Sequence, residues 1–178
     1  TDSALDPLKW HDMIAASGWK GKVVPAYRPD NVVDPEFEGF AANLRAFAEI
    51  TGEDTGTWRG YLAAHRKRRA DFRARGATAS DHGHRTARTA NLSANEAESL
   101  FARVTRGNVS AGDADLFRGQ MLTEMAKMSL DDGLVLQIHP GSYRNHNPAL
   151  FASFGRDMGA DMPTATDYVT ALKPLLDA

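Results

Sequence analysis

The residues best able to do chemistry stand just past three short apolar segments. Arg28-Pro29-Asp30 follows Lys22-Val23-Val24-Pro25-Ala26-Tyr27. Asp81-His82-Gly83-His84 follows Ala77-Thr78-Ala79-Ser80. His139-Pro140-Gly141-Ser142-Tyr143-Arg144-Asn145-His146-Asn147 follows Leu134-Val135-Leu136-Gln137-Ile138. Four of the six histidines fall in the last two of these stretches, and that clustering is the strongest functional signal in the chain. The planar fork of Arg28 suits bidentate capture of a substrate carboxylate, or a structural pair with Asp30. His82 and His139 can each bind a metal, move a proton or hydrogen-bond a hydroxyl; otherwise each is a histidine satisfied by its own surroundings. His82 and His84 would share a face if the strand ran through them, as a metal site needs, but Gly83 is expected to break it. Arg144, Asn145 and Asn147 can hold an anionic or polyhydroxylated ligand, or close their own turns.

Such groups work together only if the chain brings them to one place. Helix signals dominate. Asp6-Pro7 opens a helix running to Gly18, and Pro35 opens another with the stripe Phe37, Phe40, Ala41, Leu44, Phe47 and Ala48. A basic helix is expected from Thr57 to about Arg75, ended by Gly76. Ser93 with Glu96 forms a capping box, and helices are expected over Ala114 to Leu130 and Thr164 to Leu176. The three apolar segments read as buried parallel strands, separated by about 50 residues, where a crossover needs only a dozen or more. Each connection therefore holds about two helices. In parallel α/β folds, ligands bind at the carboxyl ends of the strands, where the three polar tips would converge.

Composition excludes other classes. The chain has 178 residues, 42% apolar and 25% charged, with a formal net charge of −2, which fits one soluble globular unit spanning residues 1–178. With no cysteine, disulfides, zinc fingers and thiol nucleophiles are ruled out, and a reducing cytoplasm is the default location. No apolar run approaches the roughly 18 residues that span a bilayer. The basic run His65-Arg66-Lys67-Arg68-Arg69 is read as a solvated helix face rather than a nucleic-acid site, because the chain is net acidic and no nucleic-acid motif surrounds it. Met121, Met125 and Met128 fall at helical spacing as core filler. Phosphate-binding Gly-rich turns and the Gly-x-Ser-x-Gly elbow are absent.

The stretches Val24-Pro25-Ala26-Tyr27-Arg28-Pro29-Asp30, Ser80-Asp81-His82-Gly83 and, above all, Gln137-Ile138-His139-Pro140-Gly141-Ser142-Tyr143-Arg144-Asn145-His146-Asn147 resemble the uronate isomerase (glucuronate isomerase) family of the amidohydrolase superfamily. Phe154-Gly155-Arg156-Asp157-Met158-Gly159-Ala160-Asp161 continues the likeness, which covers essentially the whole chain in order. The resemblance implies a (β/α)8 TIM barrel with extra helices, of which this chain would be a central portion carrying about three of the eight parallel strands. It implies interconversion of a hexuronate aldose (glucuronate, galacturonate) with its ketose (fructuronate, tagaturonate) in uronate catabolism. His139 and His82 would be the catalytic candidates. Arg28, Asp30, Arg144 and Asn145 would bind substrate. A divalent metal, zinc as the expected ion, would serve the full-length enzyme. The family holds it mainly by a His-x-His on the first strand and an Asp after the last, both outside this chain, so His82 and His139 are only secondary metal candidates. The fragment alone would be inactive. The expected partner is the small-molecule hexuronate, with no nucleic acid and no membrane, and a homo-oligomer is allowed. Two other readings stay open at this point: a metal-dependent hydrolase of the same superfamily, and a non-catalytic helical interaction module using the basic helix.

Overall fold

The computed structural model describes residues 1–107 and 109–178. Four short strands, β1 (Asp2–Ser3), β2 (Tyr27–Arg28), β3 (Ala79–His82) and β4 (Val135–Ile138), form one sheet in the order β1-β2-β3-β4. Every neighbouring pair is parallel, with Asp2 opposite Tyr27, Tyr27 opposite Ser80 and Ser80 opposite Leu136. Sequential order with parallel pairing forces helical crossovers. These are α1 (Lys9–Ala16) after β1; α2 (Asp30–Val33), α3 (Phe40–Thr51) and α4 (Trp58–Ala74) after β2; and α5 (Ala94–Thr105) and α6 (Ala111–Asp132) after β3. Beyond β4, the two-residue strands β5 (Ser142–Tyr143) and β6 (Met162–Pro163) pair antiparallel and bracket α7 (Pro148–Phe154), and α8 (Tyr168–Leu176) follows.

The sheet has four strands where three were expected. Asp2 and Ser3 carry no apolar signal; β1 exists because its backbone bonds to β2, with Asp2 N donating to Ala26 O at 3.0 Å and Ala4 N to Arg28 O at 2.8 Å. The second strand is shorter than its apolar run, since Val23 and Val24 are exposed and Pro25 has no N–H to give a ladder. The first helix also starts later than expected. Asp6 caps a turn, accepting from Leu8 N at 2.6 Å, and Leu8 takes a left-handed backbone (φ 58°) that sinks its side chain fully into the core. α8 begins at Tyr168 rather than Thr164, because Asp167 caps it by accepting from Val169 N and Thr170 N.

Pro35 does not open a helix either: residues 35–39 form turns, which leaves Phe37 outside α3, and the helix starts at Phe40 after Gly39. α6 starts at Ala111 rather than Ala114, because Ser110 caps it by accepting from Asp113 N. The remaining helix signals hold. Thr57 caps α4 through Gly60 N at 3.1 Å, and the Ser93–Glu96 capping box is present. Phe40, Leu44 and Phe47 of α3, Tyr61 and Phe72 of α4, Leu100 and Phe101 of α5, and Phe117, Met121 and Met125 of α6 pack into one core under the sheet. α6 is buried around most of its circumference over 117–125, and Gly119 lets the 88–90 segment lie against it: a Cβ there would come within 3.2 Å of Arg88 O. The basic run corrects its sequence reading. Arg66 and Lys67 are exposed, but Arg68 and Arg69 are buried. Arg69 joins α4 to α6 through two bonds to Asp132, at 2.6 and 2.9 Å, and one to Ser129. Among the described residues, no helix is long and apolar enough to cross a membrane.

Candidate functional site

Side chains alternate across a strand, and parallel neighbours share faces, so the sheet separates the candidate residues into two sets. Tyr27, Ser80 and His82 point toward the helices and are fully buried. Tyr27 hydroxyl meets His65 Nδ1 of α4 at 2.7 Å, and His82 Nε2 meets Ser80 Oγ at 3.1 Å. Arg28, Asp81 and His139 share the opposite face.

On that face three polar groups converge. Asp81 Oδ1 lies 2.9 Å from His139 Nε2, and Asp81 Oδ2 lies 3.7 Å from Arg28 Nε. Arg28 Nε also donates to Asp30 Oδ2 at 2.8 Å, and Asp30, opening α2, accepts from Gly83 N at 3.2 and 3.3 Å. Burial would lower the Arg28 pKa. The hydrogen bond to Asp30 and the charges of Asp30, Asp81 and Asp157 outweigh burial and hold it above its ordinary value. The guanidinium is therefore a permanent cation, oriented by two carboxylates. An ionised Asp81 can only accept, so it places the proton of a neutral His139 on Nε2 and leaves Nδ1 as the free acceptor. The imidazole is 41% exposed, open enough to meet a ligand.

Beside this cluster lies a cleft of about 360 Å³ whose walls include Arg28, Asp30, Gly83, Arg144, Arg156 and Asp157. Arg144 lies 3.6 Å from Asp157 Oδ1 and 3.9 Å from Asp161 Oδ2, and Arg156 sits over the Phe37 ring at 4.3 Å. The lining holds three guanidiniums and the carboxylates of Asp30, Asp34 and Asp157, and the guanidiniums are the groups able to take an anionic ligand. A larger cavity, about 610 Å³, lies between residues 85–91 and α8, and Arg28, Asp81 and His139 are not in its lining.

The structure thus brings Arg28, Asp30, His139 and Arg144 to one side and sends His82 and Asn145 elsewhere. His82 is packed beneath the sheet; burial first, then the charges of His84, Arg69 and His65, holds its pKa well below the usual histidine range. Asn145 has φ 55°, and its Oδ1 accepts from Asp157 N at 2.7 Å, so it ties the 145–157 loop together. Asn147 caps α7. Asp81 is the residue the sequence reading missed. Its signal was parity: in strands paired at their C-terminal ends, it shares a face with Arg28 and His139. Among the described residues, no group of three or more His, Asp or Glu side chains is arranged to hold a metal ion. His82 and His139 face opposite sides of the sheet, so they do not fit a shared ion.

Comparisons with known proteins agree with one another. Residues 1–178 match a family model described as glucuronate isomerase. A uronate isomerase of Rhizobium meliloti (strain 1021) is 68% identical over 178 residues, which are 100% of this chain and 38% of that protein. That of Phenylobacterium zucineum is 63% identical over 177 residues, 99% of this chain and 37% of that protein. The crystal structure of glucuronate isomerase from Caulobacter crescentus matches with a TM-score of 0.96 at 57% identity, over 99% of this chain and 37% of that one. A uronate isomerase from Thermotoga maritima gives a TM-score of 0.92 at 25% identity, over 99% of this chain and 40% of that one. The chain therefore spans about 38% of the length of the curated relatives it matches.

Proposed function

The chain belongs to the glucuronate isomerase family, and from that premise we propose that, within a full-length protein, it supplies the anion-binding and proton-handling wall of a hexuronate isomerase site. Its four parallel strands are a section of the (β/α)8 barrel of that family. The reaction in this reading is aldose–ketose interconversion, with glucuronate and galacturonate as aldoses, fructuronate and tagaturonate as ketoses. A proton leaves C2, an enediol or enediolate forms, a proton arrives at C1, and the hydroxyl hydrogen passes from O2 to O1. Such a site needs an acid, a base and fixed positive charge near the developing oxyanion.

The observation that carries this reading is the convergence of Arg28 and His139 on Asp81 at the carboxyl ends of β2, β3 and β4. Arg28 anchors the carboxylate or a hydroxyl oxygen of the sugar acid. His139, oriented by Asp81, exchanges a proton with a substrate hydroxyl through Nδ1. Arg144 adds positive charge along the cleft. A divalent metal, zinc as the expected ion, belongs in this reading to the remainder of the full-length protein, and no step here is routed through it. The reading places the enzyme in the cytoplasm, with a small sugar acid as its partner and self-association allowed. Arg68 and Arg69 are engaged inside the fold, which disfavours the basic helix as a nucleic-acid or acidic-protein module.

The test uses the full-length protein with glucuronate, following the ketose by NMR. Arg28→Met should lower kcat/KM by about 100-fold or more, the scale of a lost bidentate ionic contact. Full activity in that variant removes Arg28 from the site. No conversion of any hexuronate by the unsubstituted protein overturns the isomerase reading.

A further inference from the structure

Gly83 follows β3 without a left-handed backbone: its φ is outside the positive region that favours glycine, so the local conformation suits any residue. The space does not. A Cβ at this position would lie 2.3 Å from Arg28 Nη2, 2.8 Å from Asp30 Oδ2 and 3.3 Å from His139 Cε1. All three atoms belong to side chains, so a methyl group would not meet backbone; the two contacts below 3.0 Å would displace the Arg28 guanidinium and its Asp30 carboxylate, while His139 would need to give by only a few tenths of an ångström. Meanwhile the Gly83 N–H donates to both Asp30 oxygens, at 3.2 and 3.3 Å, fixing the carboxylate that holds Arg28 Nε at 2.8 Å.

We propose that Gly83 is a positioning residue for substrate binding: its missing side chain is the seat of the Arg28 guanidinium, and its N–H locks the Asp30 carboxylate that aims it. This rests on Arg28 binding the substrate anion, as argued above. The role is steric and acts through Arg28, so it predicts a change in how the anion is bound rather than in how the protein folds.

The experiment is kinetics on the full-length protein with glucuronate, for Gly83→Ala, Arg28→Lys and the double variant. Gly83→Ala should raise KM about tenfold or more, with kcat changed by less than about threefold, and leave the melting temperature within a few degrees. Lysine lacks the second guanidinium nitrogen, the shortest of the three contacts with the added methyl group, so Gly83→Ala in the Arg28→Lys background should raise KM at least about threefold less than it does in the parent. An unchanged KM in Gly83→Ala, or an equal loss in both backgrounds, overturns the proposal. If Gly83→Ala alone does not fold, a folded double variant supports the steric account and an unfolded one overturns it. Failure of the isomerase reading looks different, because the unsubstituted protein would then convert no hexuronate at all.

Discussion

Oδ1 of Asp81 lies 2.9 Å from Nε2 of His139, across the ladder that pairs β3 with β4. The same carboxylate reaches toward Arg28 at 3.7 Å, so one side chain sets both the imidazole tautomer and part of the guanidinium's seat. Asp81→Asn keeps the shape and removes the charge. In the full-length protein it should lower kcat/KM by about 100-fold, the range in which positioned acid–base groups contribute. Kinetics within twofold of the parent would remove this carboxylate from the chemistry.

His82 gives the opposite expectation. It is fully buried on the helix side, bonded to Ser80, with Nδ1 unpaired among the described residues. His82→Ala should cost about 2–4 kcal/mol of unfolding free energy through the space it leaves. kcat/KM per folded molecule should stay within about threefold. Denaturant unfolding and active-site kinetics on one preparation separate the two effects.

Buried imidazoles also set a pH dependence. Burial first, then the charges of Arg69 and Arg66, brings His65 down to about 3, and His82 is held low for a similar reason. An unfolded histidine titrates near 6.5. Above that pH neither state binds the proton and these residues contribute no slope. As pH falls from about 6.5 toward 3, the unfolded chain takes up protons that the folded chain refuses. Stability should then fall by up to about 1.4 kcal/mol per pH unit for each histidine. Urea midpoints between about pH 8 and pH 4 will show the fall, and His65→Gln should flatten it; an unchanged slope in that variant counts against the assignment.

Arg69 is the most consequential member of the basic run. Its side chain is fully buried, and its removal leaves Asp132 and Ser129 without their bonds between α4 and α6. Arg69→Met should cost about 3–5 kcal/mol, while Arg66→Ala and Lys67→Ala, at exposed positions, should stay within about 0.5 kcal/mol. Thermal melts of the three variants check the ranking.

These contrasts show what could be read from residues alone. Helices whose ends carry their own chemistry, such as Thr57 at α4 and the Ser93–Glu96 box at α5, were legible because caps act locally. The placement of Arg28 and His139 at strand ends was legible because each follows an apolar run with a turn residue behind it. The helix-side position of His82 was not legible, because alternation tells which residues share a face but not which face meets the helices; Tyr27, packed on His65 and Phe72 of α4, marks that face. β1 was invisible because only its partner strand makes Asp2 and Ser3 a strand. Asn145 read as a ligand contact because an amide that binds sugar and one that binds its own loop are the same residue type.

The split between the two sides of the sheet carries a constraint on how such a chain can change. Tyr27 and Arg28, and Ser80 and Asp81, are adjacent letters on opposite sides of the sheet, the first of each pair in the interior and the second in the polar cluster. Deleting or inserting a single residue upstream within either of these strands would trade them, burying a guanidinium or carboxylate and stripping the interior of Tyr27 or Ser80 in the same event. Evolution of new substrate preference on this scaffold is therefore confined to replacement in place and to length changes in the loops past the strand tips.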